Sequence, residues 1–251
     1  MKEALNKKTI IIVSVIILVL IICIFVMKNI GNPTSGYIVL DDYIIEYKDD
    51  EFKKADLELV KDYNFRMIYD NAYLGDYSYD HKDNDINRLI FKDDEGVYAL
   101  KTPLLGLDKN TDLIDFKTEP MNEDDFNLYK SLYDESINYK LTDLSYADKV
   151  TIDNNGNNIY IYSVKYEGET ESEDRSVIFA SIDNETYIID KDYPVEDETG
   201  YVFYSFNVSY VIDINKDNNY ELVVAKSHYD VTDYSIYKLD SNFLELYYTG
   251  K

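Results

Sequence analysis

From residue 37 onward the apolar positions fall in short runs of strand length, rich in Ile, Val, Tyr and Phe and bounded by turns of Asp, Asn and Gly. After "YIVLDDYIIEY" the runs "NRLIF", "VYALK", "IYIYSVKY", "SVIFAS", "TYIID", "YVFYSFNVSYVI", "ELVVAKS", "YSIYKL" and "FLELYY" predict strands. Two stretches carry helical spacing instead. In "NEDDFNLYKSLYDES", Asn122 stands as an N-cap and three acids occupy the first turn, where the helix dipole favours them. Phe126, Tyr129, Leu132 and Tyr133 share one side, which predicts a helix near 122–136. "DDEFKKADLELVKDY" predicts a second through Phe52, Ala55, Leu59, Val60 and Tyr63, although "LELV" also fits a strand. The fold class is mainly β with an α+β tendency: a sheet-rich domain with one or two short helices that serve packing.

The N-terminal pattern is of another kind. Residues 9–27 hold no charge, and from Ile10 to Met27 only Ser14 and Cys23 are not plainly apolar. As a helix this run is about 27 Å long, close to a bilayer core. A buried core helix would be shorter and polar on one side. A cleaved signal peptide has an apolar region of about 7 to 15 residues with small residues close behind it. Here Lys28 follows at once, the small pair Thr34 and Gly36 is distant, and Cys23 lacks the small preceding residue that lipoprotein processing requires. The expectation is an uncleaved, single-pass transmembrane signal anchor at 9–27. Lys2, Lys7 and Lys8 before it, against Lys28 after it, place residues 1–8 in the cytoplasm. Residues 28–36 are a linker, and the exterior domain begins at 37. The localisation is the cell membrane, with the C-terminal domain extracytoplasmic.

Within that domain, 37–147 is a mixed part containing the helix near 122–136, and 148–251 is β-rich with two repeat units, 151–190 and 213–249. "TIDNNGNNIYIYSVKY" with "SVIFASIDNETYIID" runs parallel to "DINKDNNYELVVAKSHY" with "YSIYKLDSNFLELYY". Each is a polar loop, a strand, a hairpin, a second strand, an Asp-containing turn and a third strand, and the loops start at Thr151 and Asp213. A fainter third copy begins near Asp80, with "NRLIFKDDEGVYAL" as its hairpin. Two clear units are too few to close a ring, so a mixed sheet module is favoured, with a β-propeller-like repeat domain as the alternative.

Composition narrows the possible partners. The 251 residues include 27 Tyr and 10 Phe, enough for a packed core, and the formal charge is −24. Leaving out Lys2, Glu3, Lys7, Lys8 and Lys28, the acidic excess belongs to the exterior part, where it repels nucleic acid and anionic lipid and attracts cations, a basic protein or a wall component. The one cysteine, Cys23, lies in the apolar run, so the exterior domain has no disulfide, thiolate metal site or cysteine nucleophile.

The best candidate for chemistry is "DINKDNNYELVV". Calcium takes six to eight oxygen ligands, which alternate positions of a tight loop can supply from one side. Asp213, Asn215 and Asp217 have that spacing, Asn219 can ligate through its carbonyl, and Glu221 stands at position 9. Asn218 holds position 6, where the backbone turns through positive φ and asparagine is the most tolerant residue after glycine. It is not an EF-hand, because position 12 is Val224.

Asp213-Ile-Asn215-Lys-Asp217-Asn-Asn-Tyr-Glu221-Leu222-Val223-Val224 resembles the FG-GAP/VCBS-type repeats of bacterial surface proteins, whose aspartate-rich loop runs directly into an "EL-V-V" strand. The resemblance covers residues 151–249. It implies β-sheet modules or propeller blades, frequently calcium-bound, that serve adhesion, recognition or scaffolding. The first copy departs from the pattern: Thr151, Asn155 and Ile159 replace acids, Asp153 is its only carboxylate, and Gly156 alone is well placed.

No catalytic motif accompanies the loop. The histidines, His81 and His228, show no ligand or triad arrangement, and Ser227 and His228, as strand neighbours, point to opposite faces. The sequence reads as a membrane-anchored extracytoplasmic binding or scaffold protein, stabilised by calcium. The alternative is a membrane-tethered hydrolase acting on cell-wall polymer.

Overall fold

The computed structural model describes residues 35–250, apart from residues 50, 62, 70–71, 97, 100–104, 133–139, 155, 193–194, 198–199, 203, 229–230 and 241. Among the described residues no helix is long and apolar enough to cross a membrane. The expected anchor at 9–27 lies outside the described residues, as do residues 1–8 and most of the linker.

The chain is mainly β, as the apolar runs predict, with one α-helix among the described residues. Sheet I contains β1 (Ser35–Leu40), β2 (Tyr43–Lys48), β3 (Glu51–Lys54), β4 (Asn64–Tyr69), β5 (Ala72–Asp83), β6 (Arg88–Lys92), β7 (Tyr98–Ala99) and β8 (Leu105–Leu107). Its order is β3-β2-β1-β8-β4-β5-β6-β7. The chain then places β9 (Asp112–Leu113) on the edge of one later sheet and β10 (Lys117–Pro120) on the edge of another. Sheet II is the meander β11 (Tyr146–Asn154), β12 (Asn157–Tyr166), β13 (Arg175–Ile182) and β14 (Glu185–Asp192), with β10 beside β11. After the small ribbon of β15 (Val195–Asp197) and β16 (Gly200–Val202), sheet III is the meander β17 (Ser205–Asp213), β18 (Glu221–His228), β19 (Val231–Lys238) and β20 (Glu245–Tyr248), with β9 beside β17. The division at residue 147 falls inside β11, and both edge strands come from the N-terminal part.

The sheets stack three deep with sheet III in the middle. One of its faces packs Ile212, Val223 and Ile236 against Ile38, Leu40 and Leu105 of sheet I; the other packs Leu222, Val224 and Tyr237 against Ile152, Ile161 and Ile178 of sheet II. The far face of sheet I is closed by Ala55 and Val60, which pack with Phe65, Met67 and Phe91. The far face of sheet II is closed by α1 (Glu123–Leu132), through Phe126 and Tyr129 against Tyr162 and Phe179. Each outer face is thus capped by the chain's own segments, an arrangement of stacked layers rather than of blades circling an axis. It also explains the continuous apolar runs: these strands are antiparallel, yet both of their sides are buried.

Helix α1 forms where its cap signal lies. Asn122 Oδ1 accepts the N–H of Asp124 at 2.9 Å and of Asp125 at 3.0 Å, and Asp125 Oδ2 accepts the Asn122 N–H at 3.3 Å, a reciprocal capping arrangement. Asp125 is itself buried and meets Lys149 Nζ at 3.1 Å and Tyr162 OH at 3.0 Å. Of the expected apolar side, Phe126 and Tyr129 are buried and Leu132 packs against the same cluster, while Tyr133 lies outside the described residues.

The second expected helix is corrected. "DDEFKKADLELVKDY" is β3 followed by turns, because Phe52, paired with Tyr47 on β2, packs half-buried on the interior core, while Ala55 and Val60 plug the far face of sheet I and Leu59 and Tyr63 stay exposed. The third repeat copy also starts elsewhere. Asp80 lies within β5, and the meander that matches the two repeats is β4-β5-β6-β7, with β8 on the first strand as β10 and β9 are on theirs.

Gly106, in β8, sits between β1 and β4 where a Cβ would lie 2.8 Å from both Met67 Sδ and Val39 Cβ. Gly106→Ala should therefore lower stability by about 1–3 kcal/mol through overpacking. Leu222→Ala, which removes a fully buried side chain of the central sheet, should cost about 2–5 kcal/mol. Leu244→Ala, at 61% exposure, should stay within about 0.5 kcal/mol of the parent. Urea unfolding of the three variants checks the order.

Candidate metal centre at the Asp213 loop

β17 ends at Asp213 and β18 begins at Glu221. The intervening residues fold by side-chain capping of their own backbone. Asp213 Oδ1 accepts the N–H of Asp217 and Oδ2 that of Asn218, each at 3.0 Å. Asn215 Oδ1 accepts the Asp217 N–H at 3.1 Å, and Asp217 Oδ1 accepts the Asn219 N–H at 2.7 Å. These are Asx turns in succession, and they are why alternate positions carry Asp or Asn. Lys216 (φ 56°) and Asn218 (φ 64°) are left-handed, as position 6 requires. At the base of the loop Glu221 Oε2 accepts the Ile214 N–H at 3.2 Å.

Asp213 and Glu221 are 5% and 7% exposed, and neither makes an ion pair with Lys or Arg among the described residues. Burial raises the Asp213 carboxyl above its ordinary range, and the Asp217 charge adds to the effect. Burial likewise pushes Glu221 up to about 8, helped by Asp217 and Asp213.

A second loop, not recognised in the sequence, abuts this one. "DKNTD" repeats the spacing Asp108, Asn110, Asp112, and Asp108 is buried, accepting the N–H groups of Tyr37 and Asn110, each at 2.8 Å. Thr111 Oγ1 stands 3.3 Å from both Asp108 Oδ1 and Ile214 O, so its hydroxyl links the two loops by donating to one acceptor or the other. Asp112 is the register partner of Asp213, and its carboxylate pairs with Lys216 Nζ at 3.0 Å. The spacing was legible, but no "EL-V-V" strand follows it to mark it as a copy.

The structure therefore brings Asp213, Asn215, Asp217 and Asn219 into one turn and sets Glu221 at its base. Their oxygens suit a hard cation, and an ionised carboxylate has about four acceptor positions, so the backbone bonds leave capacity on Asp213. The side chains do not converge on one point: among the described residues no group of three or more His, Cys, Asp or Glu side chains is placed to hold a metal ion.

The Thr151 loop is corrected. Thr151 and Asp153 are strand residues in β11, paired with Tyr160 and Asn158, and the pairing continues to Asn154 opposite Asn157. Asp153 Oδ1 accepts the Gly156 N–H at 2.7 Å, with Gly156 at φ 89°. Asp153, not Thr151, thus lies near the strand end as Asp213 does, and the residues expected as loop ligands at 151, 153 and 159 belong to the paired strands.

The histidines lie apart from the loop. His81 Nδ1 is 2.7 Å from Asp80 Oδ2, and the ring of His228 packs on Tyr204 at 5.4 Å, while Ser227 Oγ meets Thr232 Oγ1 at 3.2 Å. Asp230 lies outside the described residues.

Because Glu221 has a higher pKa folded than unfolded, the metal-free native state holds more protons between about 4.5 and about 8. This group's effect is absent below that window and destabilising above it. In chelator, the parent should lose stability across the window, whereas Glu221→Gln should coincide with it near pH 4.5 and exceed it at pH 8. Urea midpoints of parent and variant at several pH values check this; parallel curves would remove Glu221 from the account.

Comparison of the chain with protein-family models, with curated proteins and with solved structures finds no match.

Proposed function

We propose that the chain is a membrane-anchored extracytoplasmic binding or scaffold protein whose central sheet is stabilised by calcium at the Asp213 loop. The observation that carries this reading is the pair of buried carboxylates, Asp213 and Glu221, at the two ends of an oxygen-rich turn, neither of which forms an ion pair among the described residues. Buried charges are ordinarily paired or bound to a metal, and a divalent cation would relieve the mutual repulsion that raises both groups. The likeness of Asp213–Val224 to FG-GAP/VCBS-type loops supports the same reading. The uncharged run at 9–27 and the basic residues before it support the anchor, and the net charge of −24 supports cations or a basic protein or wall component as partners.

Calcium enters by selecting the ionised form of Glu221, so its affinity should weaken as pH falls below about 8. With the full chain in detergent, calcium should raise the melting temperature in a saturable way, and Asp213→Asn and Glu221→Gln should each abolish the rise. Magnesium, which demands a tighter octahedral shell, should give a smaller one. Absence of any calcium effect on the parent would overturn the metal reading.

A further inference from the structure

Two turns and the start of a strand come together at one end of the stack: the Asp41–Asp42 turn between β1 and β2, Ile86 and Asn87 of the turn between β5 and β6, and Val231 and Thr232 at the start of β19. With Lys54 at the end of β3 they line a cleft of about 590 Å³. Two hydrogen bonds hold the first turn in place. Asp42 Oδ1 accepts the Leu89 N–H at 3.2 Å, tying it to β6, and Asp41 Oδ2 accepts the Tyr234 hydroxyl at 2.5 Å, tying it to sheet III. The cleft is thus assembled from both sheets by a sheet I that curls its distant strands toward each other.

Its charge runs against that of the molecule. The chain has 25 basic and 49 acidic residues, and many described cations are matched, as in Lys53–Glu46, Lys92–Asp80, Lys149–Asp125 and Lys226–Asp190. Lys54, Lys82 and Arg88 all line the cleft, all are exposed, and none has a carboxylate within ion-pair distance among the described residues. The two acids of the cleft, Asp41 and Asp42, are engaged in holding the turn. Surface lysines are commonly solvated and unpaired, but here two ammonium groups and a guanidinium come from three different strands or turns to one concavity. Loops gathered at one end of a rigid sheet scaffold are also where binding residues concentrate.

We infer that this cleft binds a compact oxyanion, a phosphate or carboxylate group carried by an otherwise weakly charged ligand. Arg88 offers a planar fork that matches such a group in two-point contact, and Lys54 and Lys82 add point charges. The overall charge of −24 disfavours a polyanion, whose many charges meet the repulsive field beyond the cleft. A single group close to the three cations meets mainly their attraction, since more distant charges are screened over about 8–10 Å at physiological ionic strength. Ile86 and Val231, each 56% exposed at the cleft, offer apolar contact for the uncharged remainder of the ligand.

The test titrates inorganic phosphate, and separately acetate, into the full chain in detergent with chelator present and ionic strength held constant with chloride. The expected result is a saturable rise in melting temperature of about 2–4 °C at roughly fivefold excess over Kd. Arg88→Gln and Lys82→Gln should melt with the parent in chloride and lose the rise, and Lys117→Gln, at an exposed lysine on the edge of sheet II with no ion pair among the described residues, should keep it. A response to phosphate alone assigns a phosphate group, and a response to acetate alone a carboxylate. No rise with either anion, or a rise that survives in both cleft variants, overturns the site.

Discussion

Sheet III has no side that faces water, and the other two sheets are held by the faces it presents. Its backbone groups are satisfied by the ladder of antiparallel bonds, while alternate side chains enter two different cores. Such a sheet lacks the usual guide to register, in which a one-residue slip would put apolar residues into solvent. Here a slip would exchange one core for the other, so the shapes of the two sets and the fixed points at the strand ends must hold the alignment. The register shift in β17 between Val208 and Tyr210 marks this constraint. Before it Phe206 and Val208 face sheet II; after it Tyr210 and Ile212 face sheet I.

The acidic loop is one of those fixed points. Asp213 closes β17 by capping the two amides that start the return, and Glu221 opens β18 by holding the Ile214 amide, so the observed alignment is the one that seats both carboxylates. The neighbouring Asp108 loop anchors sheet I to the same spot through Thr111 and pairs β9 with β17. Burying this much negative charge has a cost, expressed in the raised proton affinities of Asp213, Glu221 and Asp108. The first repeat avoids it by pairing its strands as far as Asn154 and Asn157, with Asp153 as the carboxylate that caps the Gly156 amide.

Much of the acidity elsewhere is turn chemistry. The chain has few glycines and prolines, and Asp41, Asp49, Asn87, Asp183, Asn184 and Asn218 take the left-handed conformations that glycine would otherwise supply. Asp56, Asp83, Asp93 and Asp240 cap the amides two residues on. The charge balance is thus partly a by-product of how the hairpins are built. Against that background the cluster of Lys54, Lys82 and Arg88, which no turn requires, stands out.

The strands β12 to β14 and β17 to β20, the helix α1 with its Asn122 cap, and a repeat of three strands behind a polar connection could be read from the sequence, because period, capping and turn preference act over a few residues. The same locality explains the errors. The short edge strands β8, β9 and β10 carry too few residues to show a pattern, β4, β5 and β11 interleave polar and charged residues with their apolar ones, and "DDEFKKADLELVKDY" satisfies helical spacing while pairing as a strand and a plug. Tertiary structure decided the stacking order, the burial that lifts Glu221 to about 8, and the meeting of three cations from β3, β5 and β6 in one cleft. Burial and electrostatic potential are sums over atoms brought together from distant parts of the chain, and no local pattern contains those sums.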